Sequence, residues 1–295
     1  MRSRNSRRVA VLGSGIVGSL ATKLIPDSIV LTKRKTDLFL DNTFFHDTIE
    51  NRLLLMLFGI EFNSKLIPVQ YYNFETNDIS YHLTSEIASI ISKEKMGGSS
   101  TVISNMTEDE QDFVNLQFDR RILKDALLAS SDQVVLFPTM ITEYDDRVRV
   151  WIDHECIDFE YLINTIPQPF FQKIFSSEIP QQEFKYSSIT FVTSKCDVFS
   201  SSMMYSYNGC PWKRVFIIDG TQCIEFDTND FSADVLHQNF PLLKNYSVVH
   251  LPYGRIKSDP IKDTNRIKHI GRFAQWDHRI TTEHTIRKLL NLNLK

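Results

Sequence analysis

Val9-Ala10-Val11-Leu12-Gly13-Ser14-Gly15-Ile16-Val17-Gly18 decides the fold. A short apolar run ends in three glycines at the G-x-G-x-x-G spacing, followed by an amphipathic segment from Ser19 to Leu24. A second apolar run, Ile29-Val30-Leu31, comes after Pro26-Asp27-Ser28. Strand, tight turn, helix and strand in this order predict the opening βαβ unit of a dinucleotide-binding fold.

Each glycine has a physical task in that reading. Gly13 permits the sharp turn out of the strand, Gly15 lets the backbone approach a pyrophosphate, and Gly18 lets the helix pack closely on the strand. Phosphates would sit against the free N–H groups of the helix start around Ser14, Ile16 and Val17, where the helix dipole favours negative charge. The competing reading is a glycine-rich turn that only packs tightly. An acid that bonds the adenosine ribose is expected about 20 residues past the first glycine. Thr32-Lys33-Arg34-Lys35 stands there instead. Thr32 offers one hydrogen bond. Lys33 and Arg34 could receive a 2′-phosphate, which would favour NADP, or be solvated loop charges.

The 295 residues suffice for one large domain or two intertwined ones, and the 42% hydrophobic and 12% aromatic content fits a globular core. A net charge of −3 gives no global attraction to nucleic acid or to an anionic membrane. The four cysteines, Cys156, Cys196, Cys210 and Cys223, form no C-x-x-C pair and no disulfide framework, so a reducing cytoplasm is the natural setting. Arg2, Arg4, Arg7 and Arg8 imitate a signal peptide, but the apolar stretch after them is the glycine fingerprint. Residues 1–7 read as a basic, mobile tail. No run of about 18 apolar residues suggests a membrane span.

Further along, the pattern predicts a helix over Asp41 to Phe58, strands at Ile67 to Phe74 and near Tyr81-His82-Leu83, and a helical stretch from Glu108 to Ser130 that Phe118-Asp119-Arg120-Arg121 would interrupt or start. Met96-Gly97-Gly98-Ser99-Ser100-Thr101 is either a ligand-facing loop or a flexible connection. Strand signals follow at 133–137, 139–144, 148–153 and 161–165, with turns at Asp145-Asp146 and Asp153-His154-Glu155. Later strands are expected at 188–198, 203–207, 214–218, 223–226, 247–251 and 267–270. Helices are expected at 231–240 and, capped by Thr281, through Leu292.

The segment Leu162-Ile163-Asn164-Thr165-Ile166-Pro167 resembles a strand of flavoproteins of the amine-oxidase and UDP-galactopyranose-mutase type, which follows a β-meander and returns to the nucleotide sheet. Cys210-Pro211-Trp212-Lys213-Arg214-Val215 is similar to a mutase segment whose arginine lies close to the sugar nucleotide. Gly271-Arg272-Phe273-Ala274-Gln275-Trp276 resembles the C-terminal segment that meets the flavin and its pyrophosphate. Thr32 where the family has an acid, and Ala274 where it has a glycine, are departures. The resemblance implies a Rossmann-like FAD-binding α/β domain with a β-meander (8–38, 96–168 and 247–295). It implies that this domain is interleaved with an α+β substrate domain carrying an antiparallel sheet (39–95 and 169–246). It implies cofactor contacts from Thr165, Pro167, Gly271, Arg272 and Phe273, beside those of Gly13 to Gly18 and Thr32 to Arg34. Arg214, Tyr253, Arg255 and Trp276 become substrate-binding candidates.

No H-E-x-x-H, cysteine pair or G-x-S-x-G elbow appears, so neither metal chemistry nor a serine nucleophile is expected. A flavin carries its own chemistry, which makes the lack of an obvious catalytic acid or base uninformative. Three readings follow. The first is an FAD-dependent oxidoreductase acting on an amine or similar C–H donor, on a small molecule or a modified nucleotide. The second is a sugar-nucleotide mutase using reduced FAD, with Arg214 and Arg272 on the diphosphate. The third is a non-catalytic or NADP-binding protein of the same fold. Nucleic acid as a partner is permitted by the arginine-rich tail without being supported by it.

Overall fold

The computed structural model describes residues 9–25, 27–33, 45–96, 112–129, 133–134, 136–176, 183–198, 200–277 and 279–292. The glycine fingerprint folds as its spacing predicts: β1 (Val9–Leu12), helix α1 (Ile16–Leu24), β2 (Ser28–Leu31). These strands join β6 (Gln133–Val134), β10 (Tyr161–Asn164) and β16 (Ile267–His269) in a parallel sheet of order β16-β10-β1-β2-β6. Alternation of side chains along β1 explains its two-sided burial. Val9 and Val11 enter one apolar cluster with Leu20 and Ala21 of α1 and with Ile286 and Leu289 of α8 (Thr282–Leu290). Ala10 and Leu12 enter another, with Ile141, Val150 and Phe159. That second face is covered by an antiparallel meander of β7 (Met140–Glu143), β8 (Val148–Ile152) and β9 (Glu155–Phe159).

The second layer is an eight-stranded sheet of order β15-β11-β14-β13-β12-β3-β4, with β5 also paired to β3. Its strands are β3 (Asn63–Asn73), β4 (Asp78–Ser80), β5 (Asp112–Gln117), β11 (Tyr186–Lys195), β12 (Ser202–Tyr207), β13 (Trp212–Ile218), β14 (Thr221–Asp227) and β15 (Tyr246–Ile256). One apolar cluster joins Phe191 and Phe216 to Ala88 and Ile91 of helix α3 (Ser85–Met96). Another joins Trp212 and Phe226 to Leu236 of helix α6 (Ala233–Asn239). Pairings are antiparallel except β12 with β3, which run parallel.

Several local expectations change. Of the helix expected over Asp41 to Phe58, residues 41–44 lie outside the described residues, and α2 spans Ile49–Leu57 because Thr48 caps it by accepting from the Asn51 N–H. Just before that cap, His46 bridges Asn115 on β5. Within the helical stretch expected from Glu108 to Ser130, Asp112–Gln117 is strand β5, and helix α4 (Arg120–Ala129) starts at the Phe118-Asp119-Arg120-Arg121 segment expected to interrupt or start a helix. Phe113 and Leu116 suit helical spacing as sequence, but pairing with β3 overrides it, and Asp119 accepts from the Arg121 N–H where the helix begins. Residues 97–111 lie outside the described residues, and with them most of the small-residue loop. The strand expected near Tyr81 sits earlier, at β4. The turn expected at Asp153-His154-Glu155 forms, and it leads into a strand not expected from the sequence, β9. Strand β15 takes up Pro252 at a bulge, where its register with β11 shifts between Leu251 and Arg255, as an edge strand tolerates. Two strands cross the expected domain limits: β5 and β15 both belong to the eight-stranded sheet. No helix among the described residues is long and apolar enough to cross a membrane.

Candidate functional site

Strand β1 continues into β2 on one side of the parallel sheet, while the chain returns as β10 on its other side. Open sheets bind ligands at such a switch point, beyond the carboxyl ends of the strands. Three adjacent strands end there, β1 at Gly13, β10 at Thr165 and β16 at Gly271. Gly13 has φ +105°, donates its N–H to Leu31 O at 2.9 Å, and lies so close to Thr165 that a Cβ would stand 2.7 Å from Thr165 Oγ1. Thr165 directs both its N–H and its hydroxyl to Leu12 O, at 3.0 and 2.8 Å. A Cβ on Gly18 would fall 2.0 Å from Gly13 O, so only glycine lets α1 start this close to the strand. Gly271, at φ +92°, rests against Val17 and ties the third loop to the first helix.

Gly15 differs from its neighbours: no atom lies within 4 Å of where its Cβ would be. It is the N-cap of α1 and carries no side-chain cap, so the first-turn N–H groups at Ile16 and Val17 face a cradle with no Cβ in it. That geometry fits a pyrophosphate. The ribose position fits less fully. Thr32 is buried, with its Oγ1 2.9 Å from the buried Ser14 Oγ, and no carboxylate stands at its position. Lys33 is exposed, and Arg34 lies outside the described residues. Pro167 opens helix α5 (Gln168–Ile174), its carbonyl accepting from the Phe170 and Phe171 N–H groups.

Behind the loops, a polar cluster that sequence reasoning missed locks β10 to β16. His269 Nδ1 lies 3.0 Å from Asn164 Nδ2 and 2.9 Å from Gln168 Nε2, so it accepts from both amides and the ring is neutral. Burial pushes His269 down to about 4, with Lys288 and Lys268 assisting against Asp263.

The eight-stranded sheet supplies charge. Arg214 on β13 sits opposite Glu225 on β14, and its Nη2 reaches Glu225 Oε2 at 2.7 Å. Arg255 on β15 reaches the other carboxylate oxygen at 2.7 Å and also pairs with Asp227. Burial alone would raise the Glu225 carboxyl. Arg214, Lys95 and Arg255 outweigh it and hold the group well below the usual carboxylate range. Lys95, on α3, stands with its Nζ 4.3 Å from the Tyr205 ring centroid. Burial pushes it down to about 7, and the cations Arg214, Arg255 and Lys213 add to that against Glu225. Arg272, on the short helix α7 (Arg272–Gln275), donates its Nε to Ile280 O and feels both Arg214 and Glu225. Burial, then Arg214, lower its pKa. The Gly271-Arg272 loop thus comes within electrostatic reach of the sheet.

The four substrate candidates form two groups. Arg214 and Arg255 share Glu225. Tyr253 and the fully buried Trp276 meet edge to face at 5.8 Å, among Phe184, Tyr186 and Phe170. Trp276 donates its Nε1–H to Ser258 Oγ at 2.7 Å, and burial, then Tyr186, raise the Tyr253 hydroxyl pKa. Phe273 is half-buried on α7. Glu225 had one signal in the sequence, a lone acid inside the apolar run Cys223-Ile224-Glu225-Phe226, since a buried carboxylate demands a cation. Lys95 had none.

Neither a protein-family model nor a curated protein matches the chain. Solved structures do. A cyclohexylamine oxidase from Brevibacterium oxydans superposes with a TM-score of 0.67 at 9% identity, over 97% of each chain. A reduced UDP-galactopyranose mutase gives 0.62 at 10% identity, over 96% of this chain and 94% of its own. A putative protoporphyrinogen oxidase from Exiguobacterium gives 0.61 at 13%, over 98% of each. The chain shares their fold. The expected α/β architecture, with a meander and an antiparallel sheet, is the one observed.

Proposed function

We propose that this chain is an FAD-dependent oxidoreductase that oxidises a C–H donor on a small molecule or modified nucleotide. The observation that carries the reading is the convergence of Gly13, Thr165 and Gly271 at the switch point, around a Gly15 with open space before it. Gly13 to Gly18 would hold the pyrophosphate, Thr32 the adenosine ribose, and Thr165, Pro167, Gly271, Arg272 and Phe273 the remainder of the nucleotide. FAD, when bound, supplies the two-electron acceptor. The protein's share is orientation and charge: Arg272 joins the cofactor loop electrostatically to Arg214 and Glu225. The shared fold supports the reading.

A sugar-nucleotide mutase is the second reading, favoured by the proximity of Arg272 and Arg214, two guanidinium groups of the kind that match phosphate oxygens. An absorbance spectrum of the purified protein between about 300 and 550 nm, before and after adding FAD, tests both, because the cofactor defines the chemistry. Flavin bands that persist through gel filtration are expected. Bleaching by substrate marks an oxidoreductase, whereas turnover only after prior reduction, without net redox change, marks a mutase. A colourless protein that ignores FAD but binds NADPH would overturn both and turn attention to Lys33 as a phosphate contact.

A further inference from the structure

We infer that the substrate carries a carboxylate or phosphate group, and that Lys95 and Arg214, converging on the ring of Tyr205, receive that group. Lys95 Nζ lies 4.3 Å and Arg214 Cζ 5.9 Å from the Tyr205 ring centroid, and Tyr71 stacks on the same ring at 6.1 Å. Two cations meeting at one ring repel each other unless an anion separates them. The carboxylates nearby are already committed. Glu225 holds Arg214 and Arg255, Asp227 holds Arg255 and stands 3.9 Å from Lys213, and Asp230 stands 3.8 Å from Lys213. Lys95 makes no hydrogen bond or ion pair among the described residues; the Tyr205 ring is its contact. Arg214 Nε is likewise buried without a hydrogen-bond partner.

Charge then selects the ligand. A substrate bearing an ammonium group would add a third cation to this ring and is disfavoured, whereas an anion completes the set. Lys95 also titrates near neutral pH in the free protein, held down by burial and by Arg214, Arg255 and Lys213 against Glu225. An arriving anion favours its charged form, so binding takes up a proton. The inference rests on the flavoenzyme reading only in calling this anion the substrate.

Calorimetry on the full chain with added FAD, near pH 7.5, in two buffers of different ionisation enthalpy, tests it with succinate, inorganic phosphate and butylamine as probes. Succinate or phosphate is expected to bind, succinate with proton uptake because it is fully ionised at this pH, the stronger of the two identifying the group, and butylamine is not. Lys95→Met should weaken the anion by about tenfold or more. Lys95→Arg should keep binding and lose the proton uptake. Absence of anion binding, or Lys95→Met binding as tightly as the parent chain, would overturn the inference; the second result would place the anion elsewhere, as at Gly13 to Val17. Flavin absorbance in the same samples separates the two proposals. Anion binding at Lys95 without flavin bands would fail the oxidoreductase alone, and flavin bands without anion binding would fail this inference alone.

Discussion

The carboxyl edge of the parallel sheet and the charged face of the eight-stranded sheet build their sites by opposite means. At the first, the working groups are backbone: N–H groups at a helix start, and glycines whose missing Cβ makes room. At the second they are side chains, Lys95, Arg214, Glu225 and Arg255, drawn from four different elements. A backbone site is a local property and shows in a ten-residue motif. A side-chain site depends on register between distant strands, and each member makes sense only beside the others.

That contrast can be broken by mutation, most forcefully at Glu225. Replacing it with Ala leaves Arg255, 3% exposed, and Arg214 without their shared carboxylate. A loss of about 3–5 kcal/mol is expected in urea unfolding. A loss under about 1 kcal/mol would show that the network is solvated and does not act as a buried unit. Gly18→Ala comes next: its Cβ would overlap Gly13 O, an atom that cannot swing aside. We expect about 3 kcal/mol of destabilisation and no retained FAD, read by thermal melting and absorbance.

The cluster behind the loops answers to pH. His269 falls from its ordinary 6.5 to about 4 on folding, so the folded state favours the neutral ring. Its contribution is complete above pH 6.5 and is lost as pH falls toward 4. Between pH 7 and 4.5 this amounts to about 2 kcal/mol. Urea midpoints of the parent and His269→Asn at those two pH values check it: the parent should lose more on acidification than the variant. The smallest stability effect belongs to Gly15→Ala, within about 1 kcal/mol, since nothing stands where the methyl would go. FAD affinity should nevertheless drop about tenfold or more in an absorbance titration, because the methyl occupies the cradle. Unchanged affinity would mean that the pyrophosphate lies elsewhere.

The same contrast explains what could be read from the sequence. Val9 to Gly18 announced both the strand and its turn because glycine spacing encodes backbone conformation directly. Leu162-Ile163-Asn164-Thr165 was legible as a strand from its apolar run and the prolines that stop it, and its return to the nucleotide sheet from the resemblance to the flavoprotein segment. Asp112–Gln117 was not, because Phe113 and Leu116 satisfy a helical period as well as an alternating one, and β3 decides between them. Lys95 looked like any basic residue near a helix end, since nothing local hints that Arg214, Glu225 and Tyr205 will surround it. Tyr253 and Arg255 were singled out together as site residues, yet one packs in an aromatic cluster and the other in the ion-pair network.

The pairing of Val9 with Tyr161, and of Leu162 with Ile267, has a consequence for biosynthesis. Strand β1 is made long before β10, which pairs along its second edge, and before β16, which pairs with β10. Until then β1, paired with β2 alone, keeps one apolar edge open that must be kept from other chains, as such long-range parallel pairing is slow and exposed to aggregation. On the proposed function, nucleotide capture at the switch point waits until the Gly271 loop, which rests against Val17, has been made.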